Sequence, residues 1–366
     1  MYRQETRCDM KFYLPTKIYS ENNCVQDHGS ELAALGSHAL IVTGRSSSKA
    51  NGALDDVITA LKQHLTAYTI FDEVEENPSV ETVMAARELG VSRNADFVIG
   101  IGGGSALDAA KAAALMIKNS DSSWDLMYML QPESALPVAA VPTTCGTGSE
   151  VTGVAVLTRH DLKTKVSMKH KVFPAIALID GKYLMTAPRK IIVNTAVDAL
   201  AHLIESGANN IRDTYCDMSI FAGLREWAEC RPYIDGNEEL DVNAAQKLMN
   251  ASTLAGISIA QTGTTIPHAL SYMLTYEAGI PHGAAVGAFQ SRYLKYTDLK
   301  RQAAILGALG FRNTEELGEY IAELAPVYVP RELLERSAKA VLSNKAKIAQ
   351  CPYPIDESVM EDIISL

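Results

Sequence analysis

The sequence lacks paired cysteines, long apolar runs and an excess of positive charge. The cysteines are scattered and form no Cys-x-x-Cys pair: Cys8, Cys24, Cys145, Cys216, Cys230 and Cys351. In a 366-residue chain this pattern favours reduced thiols in a cytosolic protein. No uncharged apolar stretch reaches about 18 residues, so we expect no membrane span. The net charge of −10 argues against a nucleic-acid partner, because nucleic-acid binding needs basic patches.

Residues 1–6 do not begin the apolar core of a secretory signal, so no such signal is expected. No internal repeat or low-complexity segment is visible. Apolar residues make up 47% and charged residues 21%, which is typical of a soluble globular protein. A chain of 366 residues is longer than one hydrophobic core usually accommodates, so two domains are expected. The location is expected to be cytoplasmic.

The first half of the chain alternates predicted strands and helices. The strands are expected at 39–43, 67–71, 97–101, 137–141, 154–157 and 176–179, and the helices at 54–65, 79–89 and 106–117. This alternation predicts an α/β N-terminal domain with a parallel sheet and helices on both faces. Strand signals end near Pro188, and helices are expected at 242–261, 315–325 and 332–349. We therefore predict an α/β domain over 1–187 and an all-α domain over 188–366.

A glycine-rich loop follows the predicted strand 97–101. It reads Gly102-Gly103-Gly104-Ser105 and leads into an alanine-rich helix. Glycine lets the backbone approach a ligand closely, and free N–H groups at a helix start attract phosphate. The glycines are consecutive and do not match the Gly-x-Gly-x-x-Gly fingerprint. The strand, loop and helix together predict a phosphate cradle in a dinucleotide-binding domain.

Four residues of the helical half have the chemistry of a metal site. Asp198 and His202 are four residues apart, which places both on one helix face, and His268 and His282 follow. Each residue alone could be an ordinary core or surface residue. Three imidazoles and a carboxylate suit Fe²⁺, Zn²⁺, Mn²⁺ or Co²⁺ better than Mg²⁺. Together with the phosphate loop, they predict a divalent metal in a cleft between the two domains.

These motifs resemble those of the iron-dependent (group III) alcohol dehydrogenases. The matching segments are Gly-Gly-Gly-Ser at 102–105, Pro-Thr-Thr-Cys-Gly-Thr-Gly-Ser-Glu-Val-Thr at 142–152, Asp-Ala-Leu-Ala-His at 198–202 and Pro-His-Gly at 281–283. The resemblance implies an N-terminal dinucleotide-binding domain and a C-terminal metal-binding domain. It implies Fe²⁺, or sometimes Zn²⁺, on the four residues named above. It further implies a small alcohol or aldehyde substrate and a homodimer or larger assembly.

The resemblance also assigns residues to the coenzyme. The glycine loop would cradle the pyrophosphate, and the segment 142–152 would lie along the adenosine and the nicotinamide ribose through Thr143, Thr144, Thr147 and Ser149. Small hydroxyl residues after a strand can donate to ribose and phosphate oxygens, although such loops are also common without a ligand. Asp108 and Lys111, at the start of the following helix, would point into the cleft.

The chain departs from the family pattern at the end of the first strand. Many members carry an aspartate there that binds the adenosine ribose, whereas this chain has Gly44-Arg45-Ser46-Ser47-Ser48-Lys49. A cation and hydroxyls suit a 2′-phosphate. We therefore expect Gly44, Arg45 and Ser46 to contact the coenzyme and NADP(H) to be preferred over NAD(H). The alternative is that Arg45 and Lys49 are solvated and the site accepts both.

A second departure lies after His268. Several alcohol-active members have a histidine one turn later, where this chain has Tyr272, which could relay a proton or only shape the pocket. Lys163 or Lys165 could approach the coenzyme, and Glu205 could accept from a ligand imidazole or be solvated. We name Tyr272, Asp108 and Lys165 as candidate catalytic residues.

The predicted reaction is hydride transfer between the nicotinamide and a metal-bound small alcohol or aldehyde. Within the same superfamily, a polyol (glycerol-type) dehydrogenase, a phosphonoacetaldehyde-type reductase and a dehydroquinate-synthase-like enzyme are the alternatives. The glycerol-type and dehydroquinate-synthase-like families usually bind their metal through three protein ligands. A non-catalytic nucleotide-sensing protein is a further alternative, but all four candidate ligands are present.

Overall fold

A computed structural model of the protein describes residues 10–130 and 133–366. The expectation about a secretory signal at residues 1–6 and the residue Cys8 lie outside this range. The strands are Lys17–Ser20 (β1), His38–Gly44 (β2), Ala67–Val74 (β3), Phe97–Gly102 (β4), Val138–Pro142 (β5), Val156–Arg159 (β6), Thr164–Ser167 (β7) and Ile176–Ile179 (β8). Short 3-10 helices cover Trp124–Tyr128, Ser149–Val151 and Gly181–Leu184.

The helices of the first half are short, apart from those that cover the sheet. They are Cys24–Asp27 (α1), Gly29–Ala33 (α2), Ser47–Ala50 (α3), Ala53–Gln63 (α4), Val80–Ser92 (α5) and Gly104–Lys118 (α6). The second half is helical throughout its described length: Arg189–Ala208 (α7), Thr214–Glu229 (α8), Arg231–Asp235 (α9), Val242–Thr262 (α10), Ile266–Ala278 (α11), His282–Gly287 (α12), Gln290–Lys295 (α13), Leu299–Leu309 (α14), Thr314–Leu324 (α15), Arg331–Ser343 (α16), Lys345–Ile348 (α17) and Glu357–Ile363 (α18).

The main sheet is parallel, with the strand order β1-β8-β5-β4-β2-β3. Side chains alternate between its two faces, so that Leu40 and Val42 pack with α5 and α6 while Ile41 packs with α4. Thr43 pairs with Ile101, so β2 and β4 end at the same edge. That edge gathers Gly44 and the glycine loop, as the predicted parallel topology requires.

One predicted strand is shifted, and one edge strand was not predicted. A further strand was expected at 154–157, whereas β6 spans Val156–Arg159 and pairs antiparallel with β7 in a separate hairpin. The edge strand β1 was not predicted, because its four residues include only two apolar side chains and its ends are exposed.

One helix expectation also needs correction. The helix expected at 332–349 is divided at Asn344, whose side chain accepts from the Lys347 N–H and caps α17. The remaining predicted elements of both halves are present with small shifts of their ends.

The second half packs around the buried helix α7, which starts at Arg189 directly after Pro188. Its core residues include Leu200 and Leu203 from α7 and Trp227 from α8. The division into 1–187 and 188–366 stays a prediction, which the start of α7 supports. Of the helices in the described part of the chain, none combines the length and the apolar composition that crossing a bilayer requires. The cysteines within the described ranges are all buried and unpaired.

Candidate functional site

A cleft of about 1110 Å³ runs between the carboxyl edge of the sheet and the helical half. Almost all residues predicted to bind the coenzyme line it: Gly44, Ser46, Gly102, Gly103, Gly104, Ser105, Asp108, Thr143, Thr144, Thr147, Ser149 and Lys165. The four predicted metal ligands line the opposite wall: Asp198, His202, His268 and His282. The cleft therefore brings together two sets of residues whose extremes, Gly44 and His282, are 238 positions apart in the sequence.

Three of the candidate metal ligands, the histidines, surround the fourth, Asp198. Its Oδ1 lies 3.5 Å from the His268 Nε2, 3.7 Å from the His282 Nε2 and 4.0 Å from the His202 Nε2. Donor atoms of Asp198, His268 and His282 all lie within 4.8 Å of one another. His202 stands slightly apart from this group, with its ring stacked 4.4 Å from that of His268.

The donor atoms themselves fit a metal. Asp198 Oδ1 and His268 Nε2 are buried and have no hydrogen-bond partner in the described structure. Burying an unpaired polar atom is costly, and a bound cation would satisfy both of these atoms. Ligands bound about 2.1 Å from one ion in a tetrahedron lie roughly 3.4 Å apart, close to the shorter distances to Asp198. The residues present therefore fit a divalent ion with N3O coordination.

The other ring nitrogen of each histidine is occupied, which orients the ring. The Nδ1 of His202 donates to the Gly146 carbonyl at 3.2 Å, and the Nδ1 of His268 donates to Glu205 Oε1 at 2.5 Å. The Nδ1 of His282 lies 3.4 Å from the Ser271 hydroxyl. Each Nε2 is thus left facing the Asp198 carboxylate, the arrangement that metal-binding histidines usually show.

Glu205 is fully buried and accepts hydrogen bonds on both of its oxygens. Oε1 accepts from His268 and from Gln290 Nε2 at 2.9 Å, and Oε2 accepts from the Thr265 N–H at 2.6 Å and its hydroxyl at 2.8 Å. Burial opposes the charge, but His268 and these donors outweigh it and lower the pKa of Glu205. Of the two expectations for Glu205, the acceptor for an imidazole is confirmed, and the solvated helix residue is wrong.

The phosphate loop has the geometry of a cradle. Gly102 has φ +146°, which side chains rarely tolerate, and Gly103 caps α6 without a side-chain hydrogen bond, so the first N–H groups of the helix stay free. A Cβ on Gly104 would lie 2.5 Å from the Thr147 Cγ2. The backbone here is open because the side chains are absent, which fits a bound phosphate.

Asp108 and Lys111 hold this wall of the cleft together. Asp108 accepts from the Ser149 hydroxyl at 2.6 Å and from the Val156 N–H at 2.8 Å. Lys111 donates to Ser149 at 2.6 Å and to the Val154 carbonyl at 2.9 Å. Lys111 is fully buried and does not line the cleft, so both expectations for it, in the cleft or in solvent, are wrong. Burial lowers its pKa to about 8, although Asp108 opposes the shift.

The structure does not bring Arg45 into the lining of the cleft. Arg45 is exposed beside Gly44. The Lys49 Nζ lies 2.5 Å from an oxygen of Asp72, a residue in the second half of β3. Lys49 and then Arg45 help to lower the pKa of Asp72. Asp72 could not be predicted from the sequence, because it is close to this corner only through the pairing of β2 with β3.

Tyr272 and Lys165 face each other across the metal end of the cleft. The Lys165 ammonium lies 5.5 Å from the centre of the Tyr272 ring, which stacks on His282 at 6.1 Å. Lys165 also donates to Asn77 Oδ1 at 3.1 Å. Burial, followed by nearby carboxylates, raises the pKa of Tyr272, so the phenol stays protonated and can donate. Lys163, the other candidate, lies in a turn and does not line the cleft.

Part of the helical wall of the cleft was not predicted from the sequence. Thr264, Lys347 and Gln350 line the cleft near the metal ligands. Lys347 belongs to the four-residue helix α17, and Gln350 follows that helix. Nothing in their local sequence marks them, since their position depends on how the last helices pack.

Comparison with known families and structures agrees with this geometry. Residues 15–181 match the family described as iron-containing alcohol dehydrogenase, and residues 192–363 match the C-terminal region of the same family. An iron-containing alcohol dehydrogenase from Thermotoga maritima is similar in structure, with a TM-score of 0.88 and 35% identity over 96% of this chain and 98% of that one.

Two curated relatives are similar in sequence. Long-chain-alcohol dehydrogenase 1 of Geobacillus thermodenitrificans (strain NG80-2) is 29% identical over 90% of this chain and 89% of its own length. Choline dehydrogenase of Bacillus subtilis (strain 168) is 32% identical over 78% of this chain and 72% of its own. The alternatives from sister families are not favoured by these matches. The chain belongs to the iron-containing alcohol dehydrogenase family and is a metal-dependent, NAD(P)-linked alcohol dehydrogenase or aldehyde reductase.

Proposed function

We propose that Asp198, His202, His268 and His282 are the metal ligands, with iron as the native ion, and that the enzyme interconverts small aldehydes and alcohols with NADP(H). The observation that carries the proposal is the pair of buried atoms without partners, Asp198 Oδ1 and His268 Nε2, which face each other in the cleft. The cleft leads from this point to the glycine loop, so a coenzyme and a substrate can meet at one place.

When bound, the divalent ion supplies Lewis-acid polarisation of the substrate oxygen, and the nicotinamide supplies or accepts the hydride. The protein residues position these groups. Gly103 and Gly104 would leave room for the pyrophosphate, and Thr144 and Thr147 stand opposite them. The Tyr272 phenol, kept protonated by its raised pKa, would donate a hydrogen bond toward the substrate oxygen.

Asp108 and Lys165 take different parts in this proposal. Asp108 acts as a positioning residue, because both of its oxygens are used to hold Ser149 and Val156 against α6. Lys165 is buried in the cleft and carries a positive charge toward Tyr272, where it can contact the nicotinamide ribose or the substrate. Burial lowers the pKa of Lys165, and Asp198 and Asp108 oppose that shift.

The preference for NADP(H) rests on the corner formed by β2 and β3. Arg45 and Lys49 supply two positive charges there, and Asp72 neutralises one of them. The remaining cation and the hydroxyls of Ser46 and Ser47 favour a 2′-phosphate. The expected ratio of kcat/KM for NADPH over NADH is above one, and it should fall below one in Arg45→Asp. A wild-type ratio below one would contradict this preference.

The test of the metal site is metal analysis of purified wild type and His268→Ala, combined with oxidation of NADPH by short-chain aldehydes before and after chelation. About one iron or zinc per chain in the wild type, lost in the variant together with activity, is the expected result. If neither the wild type nor the variant contains metal and the activity is insensitive to chelators and added ions, the proposed metal site is contradicted and only the family membership is retained.

We also propose a cytoplasmic homodimer or larger homo-oligomer. The support is the resemblance to the family and, for the location, the scattered cysteines. Light scattering of the purified protein gives the assembly state directly, and a monomer mass at micromolar concentration would contradict the proposal.

A further inference from the structure

The segment that contains α17 contributes an ammonium and an amide to the wall of the cleft. Lys347 lies on this helix, and Gln350 lies two residues beyond its end at Ile348. Both residues line the cleft. They come from the helical half, whereas Gly44 and the glycine loop come from the half that contains the sheet.

Lys347 is half-buried and has no carboxylate partner within 4 Å among the described residues. Its Nζ donates to the Thr264 carbonyl at 2.5 Å and to the Thr264 hydroxyl at 3.1 Å. An ammonium has three donors, so one remains for a further acceptor. Burial lowers the pKa of Lys347, and Glu205 and Cys351 oppose that shift.

Gln350 adds a second unused polar group. Its Oε1 is buried without a partner, and neither end of its amide makes a hydrogen bond within the described ranges 10–130 and 133–366. The assignment of oxygen and nitrogen in a glutamine amide can be reversed, so the NH₂ end can equally face the cleft. A buried polar atom without a partner, such as this Oε1, is costly unless a ligand supplies one.

This pair lies close to the reacting end of the cleft. Thr264 is held by Lys347 and precedes Thr265, which binds the Glu205 carboxylate that orients His268. The Thr264 side chain also approaches the Tyr272 phenol closely enough to influence its pKa. A molecule that places its oxygen at the metal ligands therefore extends toward Lys347 and Gln350.

We propose that Lys347 and Gln350 bind an oxyanion at the far end of the substrate, so that the preferred substrates are short aldehydes carrying a second, anionic group. The inference rests on the proposed function and names its substrate class. In the reducing direction, NADPH gives a hydride to the aldehyde carbon and a proton goes to its oxygen, which yields a hydroxy acid and NADP⁺. The oxyanion at the other end, a carboxylate in the test below, takes no part in the chemistry.

The test compares succinic semialdehyde, which is anionic, with neutral pentanal and cationic betaine aldehyde. The kcat/KM of each is measured for wild type, Lys347→Met, Lys347→Arg and the control Lys345→Met, which removes an exposed lysine from the same helix. We expect succinic semialdehyde to be preferred over pentanal by the wild type. In Lys347→Met this ratio should fall at least about tenfold, as expected for losing a hydrogen bond to a charged group. Lys347→Arg and Lys345→Met should keep it.

A ratio that is unchanged in Lys347→Met, or an equal loss with both aldehydes, would assign Lys347 only the support of Thr264 and overturn the proposal. Preference for betaine aldehyde would overturn it as well.

A binding measurement separates this inference from the proposed function. In the metal-loaded protein with NADP⁺, 4-hydroxybutyrate should raise the melting temperature of the wild type more than that of Lys347→Met, whereas 1-pentanol should not distinguish them. The absence of this difference overturns the proposal even if aldehydes are reduced. Conversely, binding of 4-hydroxybutyrate without reduction of any aldehyde would sink the proposed function alone.

Discussion

Among single residues, Glu205 shows how a buried charge can serve a neighbouring ligand. Its oxygens accept four hydrogen bonds, one of them from His268, and no water-exposed surface remains. The carboxylate fixes the ring orientation of His268 and makes its free nitrogen a better metal ligand. The role follows from side-chain contacts and could not be distinguished in the sequence from that of an exposed helix residue.

Replacing this carboxylate tests the role directly. In Glu205→Gln one amide N–H must face a donor, either Thr265 or the His268–Gln290 pair, and the negative charge is lost. We expect the dissociation constant of the metal to rise about 10–100-fold. Titration of the metal-free protein with Zn²⁺ or Fe²⁺ measures it. The exposed Glu239→Gln is the control, and equal affinities in both variants would show that Glu205 only packs.

Tyr272 is the second residue whose contribution can be measured. Because its raised pKa keeps the phenol protonated, we expect it to act as a hydrogen-bond donor. Tyr272→Phe should lower kcat about tenfold, or ~1.4 kcal/mol, with little change in metal content. Steady-state kinetics and metal analysis on the same preparation separate the two effects. An unchanged kcat would leave Tyr272 as a wall of the pocket.

Residues in the named motifs were predictable because local spacing carries their geometry. Asp198 and His202 are one helical turn apart, and α7 places them as expected. Lys347 and Asp72 were not predictable, since their partners are Thr264 and Lys49, which are distant in sequence. Lys111 was misjudged for the same reason, because the loop that buries it follows more than 35 residues later.

At the level of elements, the start of α6 depends on backbone without side chains. In Gly104→Ala the added methyl would meet Thr147 at 2.5 Å and displace the loop that faces the phosphate site. We expect the KM for NADPH to rise about tenfold, equivalent to ~1.4 kcal/mol, while metal binding is kept.

The matched control for that variant is Gly307→Ala on α14, where a methyl meets nothing within 4 Å. Its exposed helical position should gain ~0.5–1 kcal/mol of stability through helix propensity and leave the KM unchanged. Initial-rate kinetics and thermal melts of both variants make the comparison. A similar KM in all three proteins would remove the steric argument for the loop.

Helices and strands with strong periodicity were predicted well, whereas short ones were not. The helix α10, expected over 242–261, spans Val242–Thr262. The four-residue strand β1 and helix α17 carry too few apolar positions to show a period. Both depend on partners in tertiary structure, β1 on Ile176–Ile179 and α17 on the loop at Thr264.

For the whole molecule, the metal should stabilise the helical half against unfolding, because its candidate ligands come from three helices, α7, α11 and α12. A ligand at 100 times its dissociation constant adds ~2.7 kcal/mol to stability. At roughly 2–4 °C per kcal/mol, the melting temperature should rise by about 5–10 °C on loading with Zn²⁺ or Fe²⁺.

Differential scanning calorimetry of the metal-free protein with each ion measures this shift. Mg²⁺ should give none, because three imidazoles suit it poorly. His268→Ala should lose the response to Zn²⁺. An equal shift with Mg²⁺ would indicate binding to surface carboxylates and would contradict the site.

The parallel pairing of β1 with β8 also has a consequence for biosynthesis. Lys17 pairs with Ile176 and Ser20 with Ile179, so β1 has no partner in the sheet until residue 179 has been made. At about 5–20 residues per second, that interval lasts roughly 8–30 s. During translation β1 therefore stays unpaired over that interval, and the edge of the sheet at β8 is completed only after β8 itself has been made.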